Sequence, residues 1–186
     1  MAGCWFTVSV AFVVHAGCKE QTQATTGRVE IIPRSSTTIK IDGEWDEPDW
    51  SKRALRGQFL GDDGQLARPS SEVRLLHDAT YLYVGLYAAD DNIQATDAFE
   101  LEIGTHHWTV SALGKVTPAI DGAVIGVDRD GTVDDPSNND EEWVIELANP
   151  RPVELERGTQ VRASRCDTPK GQPERCGAWA GTLAFE

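Results

Sequence analysis

Three groups of residues in this sequence are of types that do chemistry. The first is Ile41-Asp42-Gly43-Glu44-Trp45-Asp46-Glu47-Pro48-Asp49-Trp50, where five carboxylates surround two indoles. Two carboxyls can serve as general acid and base only when the fold sets them across a scissile bond, which adjacency in sequence does not do. A turn accounts for the same residues: Asp42-Gly43 reverses the chain, Asp46 caps a short helix with Pro48 in its first turn, and Trp50 returns to the core. The second group lies in residues 121–142, which carry eight acidic residues and one Arg, a net −7 out of −13 for the whole chain. Within it Asp128, Asp130, Asp134 and Asp135 offer oxygen ligands on a loop containing Gly131. Such ligands suit calcium, and a plain solvated acidic loop is the alternative reading. The third group is Cys166 and Cys176, with Pro169, Gly171 and Pro173 between them. They read as the two ends of a hairpin loop closed by a disulfide, worth roughly 2–3 kcal/mol through loop entropy. A two-Cys metal site would need a nearby His, and none is there. The sequence contains no nucleophile elbow, phosphate loop, zinc signature or Cys/His dyad.

The elements that must position these residues read as strands. Val73 and Leu75 share one face with Arg74 opposite; Leu82, Val84 and Leu86 alternate with Tyr81, Tyr83 and Tyr87, so that strand is apolar on both faces and belongs in the centre of a sheet. Asp78-Ala79-Thr80 is the turn between the two. Phe99, Leu101 and Ile103 alternate with Glu100 and Glu102; Trp108, Val110 and Ala112 alternate with His107, Thr109 and Ser111. Residues 122–127, 143–147, 159–165 and 178–185 complete the series, with short helical turns at 46–53 and 150–156. Many short strands separated by turn signals predict an all-β chain folded as an antiparallel, jelly-roll-like β-sandwich. Trp50 and Trp143 fall in core-patterned positions; Trp179 has no assigned place.

Three blocks, DGEWDEPDW at 42–50, EVRLLHDATYLYVGLYAADD at 72–91 and GTVDDPSNNDEEWVIELANP at 131–150, resemble in order and spacing the carbohydrate-binding module family 9-like domains of bacterial exported proteins. The resemblance spans about 30–186 and implies a β-sandwich that holds sugar between Trp side chains and contains structural calcium. It makes a poly- or oligosaccharide the expected partner, and the flat C–H faces of a pyranose pack on indole rings. On that basis Trp45, Trp108 and His107 are the expected contacts. Trp45 sits in a turn where no apolar anchor is required, Trp108 opens a strand, and His107 points to a polar face with Thr109 and Ser111. Core packing is the alternative for Trp108. Fold does not carry function, so two other readings stay open: a scaffold or interaction lipoprotein that keeps the fold without sugar binding, and a glycoside hydrolase.

The chain's start reads as an address. Residues 5–14, WFTVSVAFVV, are too short to span a bilayer, which needs about 20 residues, but they fit the core of a signal peptide. His15-Ala16-Gly17-Cys18 resembles a lipobox, making Cys18 the expected lipidation site, although no Lys or Arg precedes the apolar run. Plain secretion and a short buried helix are the alternatives. The resulting organisation is a signal peptide at 1–17, a lipidated polar tether at 18–28 and one domain at 29–186. The protein would then sit in the cell envelope, anchored by lipid in the periplasm or at the surface, or be secreted. The 186 residues are 40% hydrophobic and 25% charged, enough for one packed core. With 30 Asp+Glu against 17 Lys+Arg, the chain is poorly matched to nucleic acid or to an anionic membrane surface.

Overall fold

The computed structural model describes residues 28–156 and 158–186. The expected signal peptide, Cys18 and nearly all of the tether lie outside the described residues. Among the described residues twelve strands are formed: β1 (Val29–Ile32), β2 (Leu55–Gln58), β3 (Leu60–Gly61), β4 (Ser71–His77), β5 (Tyr81–Ala89), β6 (Ala98–Ile103), β7 (His106–Ser111), β8 (Val116–Thr117), β9 (Val124–Asp130), β10 (Glu142–Pro150), β11 (Thr159–Asp167) and β12 (Arg175–Phe185). One short helix, α1 (Pro48–Lys52), precedes β2, and a 3-10 turn at Val153–Glu156 precedes β11.

The strands form two sheets. A five-stranded sheet runs β2-β4-β5-β10-β9, so β5 is central, as its two apolar faces require. A seven-stranded sheet runs β1-β12-β11-β6-β7-β8, with β3 also paired to β12. Every pairing is antiparallel except β1 with β12, which is parallel. Period-2 alternation sends Val73, Leu75, Val84, Leu86, Trp143 and Ile145 inward from one sheet and Phe99, Leu101, Ile103, Val110 and Val161 inward from the other. Phe99 meets Trp143 across the gap at 4.9 Å between ring centroids. The sandwich is the expected all-β architecture.

At one end of this core the inward positions turn polar. Arg165 is 4% exposed and donates to Asp90 Oδ2 at 2.6 Å, Asp167 Oδ1 at 2.7 Å and the Ala89 carbonyl at 3.1 Å. The Trp143 indole N–H donates to the same Asp90 oxygen at 3.0 Å. Burial pushes the nearby Asp97 carboxyl up to about 7 and Asp167 up to about 6. At the rim, Cys166 and Cys176 face each other across β11 and β12 and are joined in the expected disulfide.

The sandwich also has a third layer. Ile39 and Trp50 are buried on the outer face of the five-stranded sheet against Leu76, Tyr83 and Ala148, with Ile41, Trp45 and Tyr81 packed around them. The segment is pinned by Asp49, which is 3% exposed and accepts from Ser35 Oγ, from the N–H and Oγ of Ser36, and from the N–H and Oγ1 of Thr37. Burial alone would raise the Asp49 carboxyl, but these donors hold it at about 2. The helix cap differs from expectation. Glu47 occupies the N-cap, without a side-chain cap bond, and Pro48 follows it in the first turn. Its Oε1 instead accepts from the Lys40 N–H at 2.9 Å. Asp46 is exposed and does not cap the helix.

Candidate functional site

The third layer seats closely because glycines beneath it leave room. A Cβ on Gly85 would lie 2.8 Å from the Trp45 indole nitrogen, and one on Gly126 would lie 2.6 Å from Gly43 N. Gly43 itself has φ +97, a left-handed turn that a side chain would strain, and a Cβ there would lie only 2.2 Å from Asp128 N. Trp45 therefore lies against Gly85 in the middle of the sheet, with Trp50 6.0 Å and Tyr87 6.3 Å away between ring centroids. The Arg74 guanidinium carbon sits 4.0 Å from the Trp45 ring centroid.

Beside Trp45 opens a groove of about 570 Å³. Gly43, Glu44, Trp45 and Asp46 of the turn form one wall; Glu72 and Arg74 of β4, Tyr87 of β5, Asp128 of β9, and Glu142 and Val144 of β10 form the floor and the other walls. Arg74 Nε donates to Glu72 Oε1 at 2.6 Å, so the cation in the groove is fixed by a carboxylate on one side and an indole on the other. The Asp46 carboxylate, then Asp42 and Asp128, raise the Glu44 carboxyl above its ordinary value, a sign of crowded negative charge at the mouth. Burial, followed by the Glu142 carboxylate, pushes the Tyr87 phenol up to about 12, so it stays a neutral donor. Aromatic rings flanked by anionic acceptors and one oriented guanidinium suit a ligand with apolar C–H faces and a rim of hydroxyls.

Of the residues expected from sequence, Trp45 reaches this groove. Trp108 does not. It is 9% exposed and packs in the core, because the alternation that aims Val110 and Ala112 inward aims it inward too. Its ring is stacked with His106 at 5.5 Å. His107 points outward from the seven-stranded sheet, on the opposite side of the molecule's core from Trp45, and its Nε2 lies 2.6 Å from Glu100 Oε2. The three expected contacts are thus not brought together. Arg74 and Tyr87 were not singled out by sequence, although alternation put both on the outward face. The usable signal was Gly85 between Tyr83 and Tyr87, a gap on an otherwise bulky face.

The four expected calcium ligands are also dispersed. The strand predicted at 122–127 runs on to Asp130, so Asp128 and Asp130 are exposed positions of β9 rather than members of a loop. Asp134 Oδ1 accepts from the Ala95 N–H and Asp135 Oδ1 from the Ser137 N–H and hydroxyl. No three of the four bring carboxylate oxygens within 4.8 Å of one another. Among the described residues, Asp90, Asp97 and Asp167 do come that close, with the Arg165 guanidinium already bonded to two of them. The other close group, Cys166, Glu174 and Cys176, has its sulfurs in the disulfide.

Neither known family descriptions nor curated proteins match this sequence. Solved structures do match it. A carbohydrate-binding module family 9 protein from Caldicellulosiruptor kristjanssonii in complex with cellotriose superposes with a TM-score of 0.58 at 13% identity, covering 84% of this chain and 94% of that one. The module from the same organism in complex with glucose gives 0.54 at 12% identity, covering 84% and 97%. A Bacteroides uniformis protein described as a carbohydrate-binding candidate gives 0.51 at 10% identity, again covering 84% and 97%. The chain has the fold of the carbohydrate-binding module family 9 β-sandwich.

Proposed function

We propose that this is a non-catalytic carbohydrate-binding protein that takes an oligosaccharide in the groove beside Trp45. The observation that carries the reading is the groove itself: Trp45 and Tyr87 next to Arg74, Glu72, Asp128 and Glu142 on a sheet of this fold. The similarity to structures described with cellotriose and glucose supports a saccharide ligand. Stacking on one principal indole supports weak binding without turnover, with dissociation constants of about micromolar to millimolar, or about −4 to −8 kcal/mol. Calorimetry with cellotriose and then a glycan array test this. Trp45→Ala should cost about 1–3 kcal/mol of affinity. Binding to no glycan at millimolar concentration would favour the scaffold reading, and hydrolysis of a bound glycan would overturn both.

We also infer export to the cell envelope with lipid attached at Cys18. The apolar run at 5–14, the lipobox-like residues before Cys18 and a disulfide suited to an oxidising compartment support it. Cys18→Ser should release the protein from the membrane fraction, and a mature N-terminus at any other residue would sink the idea.

A further inference from the structure

Beneath the turn that carries Trp45 lies a carboxyl group that the ligand-binding reading does not use. Glu146, on the outward side of β10, is 0% exposed, and its Oε2 accepts from the N–H groups of Asp42 and Gly43, both at 3.0 Å. Its Oε1 is buried without a hydrogen-bond partner, as is the Trp50 indole nitrogen. The turn is the cover over this group: it approaches the sheet so closely at Gly126 that no Cβ fits there, and Gly126 is the register partner of Glu146. We propose that Glu146 is the positioning residue of the groove, its carboxyl seating the Asp42–Gly43 turn on the sheet and thereby holding Trp45 against Gly85. The proposal rests on the groove being the ligand site.

The same geometry makes the seat sensitive to pH. Burial is the largest influence on Glu146 and pushes it up to about 7; the Gly43 and Asp42 N–H groups pull it down, and Glu47 adds to the rise. The other charged or titratable groups near the seat are Asp42, paired with Lys40 on the turn, Asp128 on the same face of β9, Tyr83 and Tyr87 on the same face of β5, and Arg74 of β4, in the same row as Glu146 across Gly85. An acid whose value is raised by being covered favours the covered state while it is neutral. Ionisation works the other way: lifting the turn would hydrate the carboxylate and return it toward 4.5. The covered groove is therefore favoured below about 7 and loosens as pH rises through that value. Global stability carries the same sign, with the contribution of Glu146 falling as pH rises from 4.5 toward about 7.

The test uses the full chain, unmodified and as Glu146→Gln, with cellotriose as the probe. In the unmodified protein the Asp42 and Gly43 amide NMR shifts should titrate together with a midpoint near 7. Cellotriose affinity should fall at least about threefold between about pH 6 and about pH 8.5. Glu146→Gln, which is neutral and keeps an acceptor for the two N–H groups, should hold the low-pH affinity at every pH. A purely structural role would lower affinity without flattening the profile. An unchanged slope in Glu146→Gln, or flat amide shifts in the unmodified protein, would overturn the proposal. Should cellotriose bind at no pH, the carbohydrate reading falls, while the amide titration still decides whether Glu146 governs the turn. That titration needs no variant, so a misfolded Glu146→Gln does not remove the test.

Discussion

On the five-stranded sheet, the outward residues of β4, β5 and β10 include Arg74, Leu76, Tyr83, Gly85, Tyr87, Glu146 and Ala148; on the seven-stranded sheet, those of β6, β7 and β11 include Glu100, Glu102, His107, Thr109, Arg162 and Ser164. Both faces arise from the same alternation that fills the core between them. The first mixes apolar side chains with a glycine gap, so residues 39–50 can settle on it, bury Trp50 and leave a groove at the edge of the cover. The second is a ladder of charged and polar side chains that pair with one another in water. Arg162 lies 3.1 Å from Glu102 and His107 lies 2.6 Å from Glu100, with side chains 40–59% exposed. A sheet face becomes a site here only where a further stretch of chain is laid on it, and what admits that stretch is the absence of side chains at Gly85 and Gly126.

The sharpest way to break the contrast is to detach the cover. Asp49→Ala removes the acceptor of five donors from Ser35, Ser36 and Thr37. Leaving such donors unpaired next to a buried Trp50 should cost about 3 kcal/mol in urea unfolding and abolish the groove. Acid should do the same gradually. A carboxyl depressed from 3.8 to about 2 contributes stability that is complete above 3.8 and is lost as pH falls toward about 2. A variant of wild-type stability would show that the third layer does not depend on this anchor.

The next effect belongs to the other sheet. Cys166→Ser with Cys176→Ser, or reduction of the bond, should cost roughly 2–3 kcal/mol. Because the bridge joins β11 to β12, glycan affinity should be unchanged at a temperature where the protein remains folded. Loss of affinity in the folded, reduced protein would mean that the two faces are not independent.

A smaller effect probes the glycine gap. Gly85→Ala places a Cβ 2.8 Å from the Trp45 ring, so the indole must lift. The expected cost is about 1–2 kcal/mol in stability, with a shifted tryptophan emission and weaker binding. Unchanged emission would show that Trp45 is not seated on this residue.

Much of this architecture was legible in the sequence, and the illegible parts have a common cause. The strands at 72–77, 81–88, 99–103 and 143–147 announced themselves by alternation and were extended by no more than a few residues, since a half-buried strand must repeat every second residue. β1, β3 and β8 are too short or too exposed to carry that signal, and the charged end of β9 read as a loop because solvent on one side tolerates Asp128 and Asp130. Trp45 was legible as an aromatic that its own turn did not need. Arg74, Tyr87 and Glu146 were not, because their meaning depends on residues 39–50 folding back over strands that follow them in the chain, a long-range packing fact with no local period. For Trp108 the alternation with Val110 and Ala112 left core packing open as the alternative to a sugar contact, and its ring is in the core.

The smallest expected effect discriminates most directly between the two faces. His107 and Glu100 are 2.6 Å apart, but their side chains are 59% and 40% exposed, so water competes for both and the pair contributes little. His107→Ala should change stability by less than about 0.5 kcal/mol. It should also leave cellotriose affinity where it was, because the groove lies beyond the core on the other sheet and shares no side chain with β7. The measurement is paired: one unfolding curve and one calorimetric titration on the same preparation. If affinity fell tenfold while stability held, His107 would be touching the ligand, and the sugar would have to lie on the charged ladder of the seven-stranded sheet. Trp45 would then be only the outermost layer of packing on its own sheet, and the uncovered face would be the functional one. An unchanged affinity in His107→Ala beside a weakened Trp45→Ala places the ligand on the covered face, where the groove is.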